Sequence, residues 1–308
     1  MTPPALIALD WGSSSFRAYL VSGDGAILDE IATADGIAAV APGAFPATLA
    51  RLVGRWLAGR PELPVIASGM VGSRHGWREA PYVACPADPE AIAARLIAVE
   101  GDGLRVHIAP GLSTEGVDGE PDVMRGEEVE ILGVADAGTG AGLIVLPGSH
   151  SKWAQLEESR VLGFKTFVTG ELFAAVRDHT LIGAFARAAP AEPSRAAFAH
   201  GVARGAAAAR GEAGAGLLGA LFGARALPLA GRLAEADAGD YLSGLLIGAE
   251  IAEARRLFPA GEPQIAGAKP LVQRYLAAFD ALGQRAAAAP ARAAARGLHL
   301  LAHEAGLL

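Results

Sequence analysis

Residues 6–20 read LIALDWGSSSFRAYL, and residues 143–156 read LIVLPGSHSKWAQL. Both stretches begin with an apolar run, continue through a turn rich in glycine and serine, and end in a segment that carries an aromatic residue. A further turn and apolar run follow each stretch, so each copy predicts three strands joined by tight turns. The copies lie 137 positions apart in a chain of 308 residues. We interpret them as a duplicated domain, with a chance likeness of two β-meanders as the alternative.

The remainder of each half mixes short apolar runs with helical patterns. Residues 45–57 place Leu49, Val53 and Trp56 on one helical face, which predicts an amphipathic helix. The other predicted helices span 126–134, 171–176, 196–210, 240–257, 269–282 and 292–308, and residues 211–223 are open between helix and loop. We therefore predict an α/β protein of two domains, residues 1–138 and 139–308, with a glycine-rich hinge at 137–142.

Composition excludes several classes of protein. The net charge is −7 and no basic stripe occurs, so nucleic acid is not an expected partner. A single cysteine, Cys85, excludes an internal disulfide framework. Mean hydropathy is +0.32, but no apolar run is long enough to span a bilayer, and the N-terminus lacks the basic region of a signal peptide. We expect a soluble cytoplasmic protein that does not bind membranes.

The turn after the first predicted strand has the composition of a phosphate site. Gly12 lets backbone N–H groups converge on one point, and the hydroxyls of Ser13 and Ser14 add donors. Asp10, at the end of the strand, suits a magnesium ion held directly or through water. A plain hairpin turn with an aspartate cap is the alternative.

The second turn concentrates donors at the equivalent position of the repeat. Gly148, Ser149 and His150 precede Lys152, which is one of three lysines in the chain. A lysine ammonium can neutralise a phosphate as a compact charge. A surface turn with a solvated lysine is the alternative.

The segment DVMRGEE at residues 122–128 precedes a predicted helix. Its carboxylates could act as a general base that takes a proton from an acceptor hydroxyl, or they could cap the helix. Arg125 could bind a substrate carboxylate through two hydrogen bonds.

Two further segments are candidate binding loops. Residues 68–82 mix small, aromatic and charged side chains in a long loop that is typical of polyol binding. Its candidate substrate contacts are Ser68, Met70, Ser73, Trp77 and Glu79. Gly267 and Ala268 lie between a short strand and a helix, a context that suits an adenosine contact or an ordinary structural turn.

Together these motifs resemble the 2-dehydro-3-deoxygalactonokinase family. The motifs that carry the resemblance are DWGSSSFRAYL (10–20), SGMVGS (68–73), GWREAPY (76–82), DVMRGEE (122–128), LPGSHSKW (146–153), TGELF (169–173) and YLSGLLIGAEI (241–251). DVMRGEE and LPGSHSKW are the most specific of them, whereas DWGSSS fits many sugar kinases. The resemblance implies two duplicated actin-like (ribonuclease H-like) domains with mixed sheets and a nucleotide cleft between them.

The resemblance also implies an activity and a site. ATP, with Mg²⁺, would phosphorylate the 6-hydroxyl of 2-dehydro-3-deoxy-D-galactonate in galactonate catabolism. The first phosphate loop would consist of Asp10, Gly12, Ser13, Ser14 and Arg17. The second would consist of Gly148, Ser149, His150 and Lys152, and Gly267 and Ala268 would match the adenosine loop, although that turn lacks the double glycine common in the superfamily.

Several alternatives stay open at this point. Related sugar kinases have a Gly-Asp pair before the second phosphate loop, and Gly126-Glu127 occupies that place, so Glu127 is the favoured base and Asp122 its competitor. Another sugar or sugar acid could be the acceptor, and a non-catalytic nucleotide or sugar sensor or a protein-directed ATPase could share the fold. The partners expected are the sugar acid and ATP, with a homodimer as one alternative for the assembly.

Overall fold

A computed structural model of the chain describes residues 2–101, 103–116, 119–139, 142–187, 192–212 and 214–308. The hinge predicted at 137–142 falls partly outside this range, since residues 140 and 141 are not among those described.

Six strands of the first half form a mixed sheet. They are β1 (Pro4–Trp11), β2 (Phe16–Ser22), β3 (Ile27–Thr33), β4 (Val65–Ser68), β6 (Ile97–Gly101) and β7 (Leu104–Ile108). Their order is β3-β2-β1-β4-β7-β6, with β1 antiparallel to β2 and parallel to β4. Leu6, Ile7 and Leu9 are fully buried because β1 is central and both of its faces are covered.

Three helices and a small sheet complete this half. The helices are α1 (Phe45–Leu57), α2 (Pro89–Ala93) and α3 (Glu127–Val134), and the strands are β5 (Tyr82–Ala84), β8 (Gly111–Glu115) and β9 (Pro121–Met124). The bounds of α1 are those predicted, and its buried residues include Leu49, Val53 and Trp56. The small sheet has the order β5-β8-β9, and the sequence patterns did not predict it.

A five-stranded sheet opens the second half. Its strands are β10 (Gly142–Leu146), β11 (Ser151–Glu157), β12 (Arg160–Phe167), β13 (Gln264–Ile265) and β14 (Ala287–Ala288). The order β12-β11-β10-β13-β14 repeats the order β3-β2-β1-β4-β7 of the first sheet, and β10 pairs with β13 in parallel, as β1 does with β4. The repeated order confirms the predicted duplication of an α/β domain with mixed sheets.

The helices that follow are packed through glycines. They are α4 (Thr169–His179), α5 (Arg195–Ala209), α6 (Leu217–Leu221), α7 (Gly223–Leu229), α8 (Ala238–Leu257), α9 (Lys269–Ala281) and α10 (Ala293–Glu304). A Cβ at Gly205 of α5 would lie 1.9 Å from the carbonyl oxygen of Leu245, and one at Gly248 of α8 would lie 2.2 Å from that of Val202. The α5 and α8 backbones therefore approach too closely for any larger residue. Residues 211–223, for which the sequence did not decide between helix and loop, contain α6, so part of this segment is helical.

The chain divides into two compact units. Unit 1 comprises residues 1–141, 154–164 and 290–308, and unit 2 comprises residues 142–153 and 165–289. Helix α10 belongs to unit 1, where a Cβ at Gly297 would lie 1.8 Å from the carbonyl oxygen of Val129 in α3. The domain limits 1–138 and 139–308 stay a prediction.

None of the helices in the described ranges is both long and apolar enough to cross a bilayer.

Candidate functional site

The first predicted phosphate turn is a tight backbone loop at the end of β1. The N–H of Gly12 donates to the carbonyl oxygen of Ser15 at 2.9 Å. A neighbouring segment supports the turn, because the N–H of Ile37 donates to the Gly12 carbonyl at 2.9 Å. Gly36 allows this approach, since a Cβ there would lie 2.3 Å from the carbonyl oxygen of Ser13. The turn is thus fixed while the side chains of Ser13 and Ser14 remain exposed.

Asp10 lies directly before this turn and is paired with Arg17. The Arg17 Nη1 is 2.9 Å from Asp10 Oδ2, and the side chains are 44% and 18% exposed, respectively. The two residues face each other across β1 and β2. Burial raises the pKa of Asp10, and the Arg17 charge and hydrogen bond oppose that rise. The structure therefore places Asp10 and Arg17 together at the base of the first turn.

Three backbone segments of unit 1 converge beside Asp10. A Cβ at Gly69 would lie 2.9 Å from the carbonyl oxygen of Trp11, and one at Gly126 would lie 3.1 Å from the Cα of Gly69. Both glycines have positive φ, +93° and +107°, which other residues adopt only with strain. This packing brings the first turn of α3, with Glu127, close to the end of β1.

The first turn of α3 carries three glutamates in different environments. The Oε2 of Glu127 accepts a hydrogen bond from the backbone N–H of Arg125 at 3.1 Å. Glu128 is fully buried; its Oε2 accepts from the N–H of Gly126 at 2.6 Å, and burial followed by the Glu127 charge raises its pKa to about 8. Burial, followed by the charges of Asp10 and Glu127, raises the pKa of Glu130 to about 7. Glu130 thus senses the charge of Asp10, whereas Glu128 is buried in the core.

The competing carboxylate, Asp122, lies in a different element. It pairs with Thr114 across β8 and β9 of the small sheet, and its Oδ1 accepts the N–H of Val123 at 2.8 Å.

Arg125 anchors the loop that precedes β5. Its Nη2 donates to the carbonyl oxygen of Ala80 at 2.8 Å, and its guanidinium lies 4.4 Å from the ring centroid of Tyr82. The Nε and Nη1 atoms are buried without a hydrogen-bond partner among the described residues. In this arrangement Arg125 joins the start of α3 to the candidate substrate loop.

The other predicted substrate residues lie along that loop in different environments. Ser68 is fully buried at the end of β4, next to Asp10 in the parallel register. Ser73 follows a short 3₁₀ helix over Met70–Gly72, and its Oγ is buried. Trp77 stacks on Phe45 with ring centroids 6.1 Å apart. Glu79 is exposed and Met70 is half-buried.

The second predicted phosphate turn, in unit 2, is held by the start of α4. The N–H of Glu171 donates to the carbonyl oxygen of Ser149 at 3.0 Å. The Nε2 of His150 is 2.6 Å from Glu171 Oε2. Gly170 permits the contact, because a Cβ there would lie 2.3 Å from the carbonyl oxygen of Gly148. The N-terminus of α4 therefore packs directly on the turn.

Lys152 and Gly267 flank this second turn. Lys152 is 4% exposed in β11, so it is not a solvated surface lysine. Gly267 has a φ of +120° and approaches the Pro147 carbonyl, to which a Cβ would be 3.8 Å away. Ala268 immediately precedes α9 and is exposed. The structure thus brings the predicted adenosine loop next to the second phosphate turn.

A cavity of about 430 Å³ within unit 2 adjoins the second turn. Its wall includes Gly148, Thr169 and Phe173 on one side and Leu271, Arg274 and Tyr275 of α9 on the other. Arg274 forms an ion pair with Asp240 of α8, and its Nε donates to the hydroxyl of Ser243 at 2.8 Å. A mostly apolar space with a few ordered polar groups is the usual form of a small-molecule site.

The sequence patterns did not predict this cavity wall, the burial of Glu128 or the influence of Asp10 on Glu130. The wall comes from α4, α8 and α9, which lie far apart in the sequence, and no local pattern shows that they meet. The sequence signal that could have indicated this wall is the pair of family motifs TGELF and YLSGLLIGAEI, which include Thr169 and Ser243.

Most of the chain matches a known protein family. The family model for 2-keto-3-deoxy-galactonokinase matches residues 10–301, a range that contains both turns, the start of α3 and the cavity. The chain belongs to the 2-keto-3-deoxy-galactonokinase family. The resemblance inferred from the motifs is thereby confirmed.

Individual members of the 2-keto-3-deoxy-galactonokinase family agree with this assignment. A protein of Rhizobium meliloti (strain 1021) named as a 2-dehydro-3-deoxygalactonokinase is 41% identical over 249 residues, 80% of this chain and 79% of the relative. The 2-dehydro-3-deoxygalactonokinase of Escherichia coli (strain K12) is 38% identical over 280 residues, 90% of each chain.

Solved structures support the same fold. A crystal structure of a Sinorhizobium meliloti protein assigned to 2-dehydro-3-deoxygalactonokinase has a TM-score of 0.87 at 37% identity and covers 97% of this chain and 98% of that one. Component A of the (R)-2-hydroxyglutaryl-CoA dehydratase of Acidaminococcus fermentans has a TM-score of 0.51 at 12% identity, with 96% of each chain covered, and shares the fold alone.

Proposed function

We propose that this chain is a carbohydrate kinase that transfers the γ-phosphoryl group of ATP to the 6-hydroxyl of 2-dehydro-3-deoxy-D-galactonate, giving 2-dehydro-3-deoxy-6-phospho-D-galactonate. The observation that carries the proposal is membership of the kinase family over residues 10–301, together with curated relatives that bear this enzyme name at 38–41% identity.

Unit 2 supports nucleotide binding. The cavity adjoins Gly148 of the second turn and the α9 helix that follows Gly267 and Ala268. Its apolar wall suits a nucleobase and ribose, and the backbone N–H groups of the turn suit phosphate oxygens. We assign adenosine to this cavity and the phosphates to Gly148, Ser149, His150 and Lys152.

Unit 1 supports activation of the acceptor. Phosphoryl transfer requires that groups be positioned and charge neutralised more than it requires covalent chemistry. We assign Glu127 as the base that accepts the proton of the 6-hydroxyl, because the glycine contacts place the start of α3 beside the end of β1. Asp122 lies on the small sheet instead, so it is the second candidate.

The residues of unit 1 are compatible with a magnesium ion. Magnesium is usually held by one or two carboxylates together with phosphate oxygens and water, so a cage of protein ligands is not required. No cluster of three acidic, histidine or cysteine ligands occurs among the described residues. Asp10, at the end of β1, would hold the ion directly or through water. When bound, the ion would neutralise charge on the phosphate oxygens.

The candidate substrate contacts lie on one stretch of unit 1. Ser68 ends β4, Met70, Ser73, Trp77 and Glu79 follow it, and Arg125 ties their loop to α3. We propose that this loop surrounds the sugar acid, while Ser13, Ser14 and Arg17 complete the first phosphate loop.

The test is ADP release by the purified protein with Mg-ATP. We expect fast release with 2-dehydro-3-deoxy-D-galactonate and slow release with its gluconate epimer or without acceptor. Equal rates with both epimers would mean a broader sugar-acid kinase. Release without acceptor would mean an ATPase, and no release with any acceptor would contradict the proposal.

The base is tested by matched amide substitutions. Glu127→Gln should lower kcat by about 10²–10⁴-fold, because general-base catalysis contributes on that scale, while Asp122→Asn should change it severalfold at most. The reverse ranking would transfer the role to Asp122. Asp10→Ala should abolish turnover with the fold retained by circular dichroism.

A further inference from the structure

A buried carboxylate lies under the second phosphate turn of unit 2. Glu250, in α8, is 3% exposed. Its Oε1 accepts the indole N–H of Trp153 at 2.7 Å, and its Oε2 accepts the hydroxyl of Tyr275 at 2.6 Å. Thr169 forms a further side-chain hydrogen bond to the same carboxyl. One side chain therefore joins α8 to β11, α9 and α4.

The network extends to the turn itself. The Oγ of Ser151, the residue that ends the turn, is 2.8 Å from the Tyr275 hydroxyl. The Ser151 side chain also hydrogen-bonds the Glu250 carboxyl, so it contacts both members of the Tyr275–Glu250 pair. The chain of contacts thus runs from the second turn through Ser151 and Tyr275 to Glu250.

Two members of the network also face the nucleotide cavity. Thr169 and Tyr275 line its wall, whereas Glu250 and Trp153 lie behind it. Burial of a carboxylate is costly, and burial raises the pKa of Glu250 while its hydrogen bonds oppose that rise. Apolar side chains would fill the same space at a lower cost in desolvation free energy. We therefore attribute to the Glu250 network the role of fixing the positions of the elements that it joins.

We propose that Glu250 is a positioning residue for nucleotide binding. It fixes the second phosphate turn, the first turn of α4 and the α9 wall in the arrangement that the nucleotide occupies. It does not contact the nucleotide. This inference rests on the proposed function, which assigns ATP to the cavity of unit 2.

The principal variant is Glu250→Gln. The amide oxygen can still accept the Trp153 indole N–H, which leaves the NH₂ group facing the Tyr275 hydroxyl. That hydroxyl must then accept instead of donate, so its proton reorients and the contact that joins residue 250 to α9 changes in direction and geometry. Displacements of about 1 Å cost on the order of 10²-fold in reactions that depend on positioning. We expect the Kd for ADP, measured by calorimetry, to rise tenfold or more, with the KM for ATP rising in parallel and the KM for the sugar acid unchanged.

The matched control is Glu253→Gln, the same change one turn along α8 at a half-buried position. It should leave the Kd for ADP within twofold of wild type. If Glu250→Gln also binds ADP within twofold of wild type, or if both KM values change equally, the inference is overturned.

A second variant covers the case in which Glu250→Gln does not fold. Trp153→Phe keeps an aromatic ring but removes the N–H donor to Oε1, and Trp153 is not part of the cavity wall. Its Kd for ADP should rise severalfold; an unchanged value with a native melting curve would overturn the inference. Failure of the wild-type protein to bind ADP would instead overturn the assignment of ATP to this chain.

Discussion

Replacement of Glu128 by glutamine should change how the stability of the protein depends on pH. Glu128 is fully buried and its pKa is raised to about 8 in the folded protein from 4.5. Because the folded state holds the proton more tightly than the unfolded state, the stability from protonation is fully present below pH 4.5. It is lost as the pH rises through 8.

The magnitude follows from the two pKa values. A difference of about 3.5 pH units at 1.36 kcal/mol per unit amounts to about 5 kcal/mol over the whole range. Between pH 5.5 and pH 8.5 the wild-type protein should lose roughly 3 kcal/mol from this group. Glu128→Gln retains an acceptor for the Gly126 N–H and cannot ionise, so it should not show this loss.

The assay is urea denaturation of wild type and variant at several values between pH 5.5 and pH 8.5. As the pH rises from 5.5 to 8.5, the free energy of unfolding of Glu128→Gln should increase relative to that of wild type by about 3 kcal/mol. Glu100→Gln, the same change at an exposed position of β6, should leave the wild-type slope intact. A difference between Glu128→Gln and wild type that is the same at both ends of the range would refute the reasoning.

Two further predictions concern glycines at close contacts. Gly205→Ala should destabilise the protein by about 1–3 kcal/mol, because its Cβ would lie 1.9 Å from the Leu245 carbonyl oxygen. The control is Gly54→Ala in α1, where a Cβ would have nothing within 4 Å. In thermal melts this control should be neutral or slightly stabilising. Gly170→Ala should raise the KM for ATP while the KM for the sugar acid stays constant in steady-state assays, because its Cβ would displace Gly148; equal changes in both KM values would contradict this.

The strands and helices with strong periodic patterns were predictable from sequence. Helix α1 has the predicted bounds because its apolar residues recur every three or four positions and its ends are marked by a proline and a polar segment. The duplication, with three strands at the start of each half, was predicted from the likeness of residues 6–20 and 143–156, whereas the strand order was not. Both signals are local, and local patterns determine individual elements well.

The environments of the site carboxylates were not predictable. Glu128 and Glu130 occupy a helix start, where acidic residues are ordinary, and only tertiary packing shows that one enters the core and the other faces Asp10. From the sequence, Lys152 could have been either a phosphate ligand or a solvated lysine in a surface turn. Its burial depends on contacts with elements that are remote in the sequence. The small sheet escaped prediction because β5 has three residues and β9 four, too few for a clear alternation.

The membership of α10 in unit 1 determines the order in which the chain can fold as it leaves the ribosome. All of unit 2 lies between residues 142 and 289, so it is synthesised before α10 emerges. Unit 1 begins first but lacks the helix that packs against α3 through Gly133 and Gly297 until α10 has been made. Unit 1 is therefore begun before unit 2 but completed after it, and α3, with the proposed base, gains its packing partner only once all of unit 2 has been made.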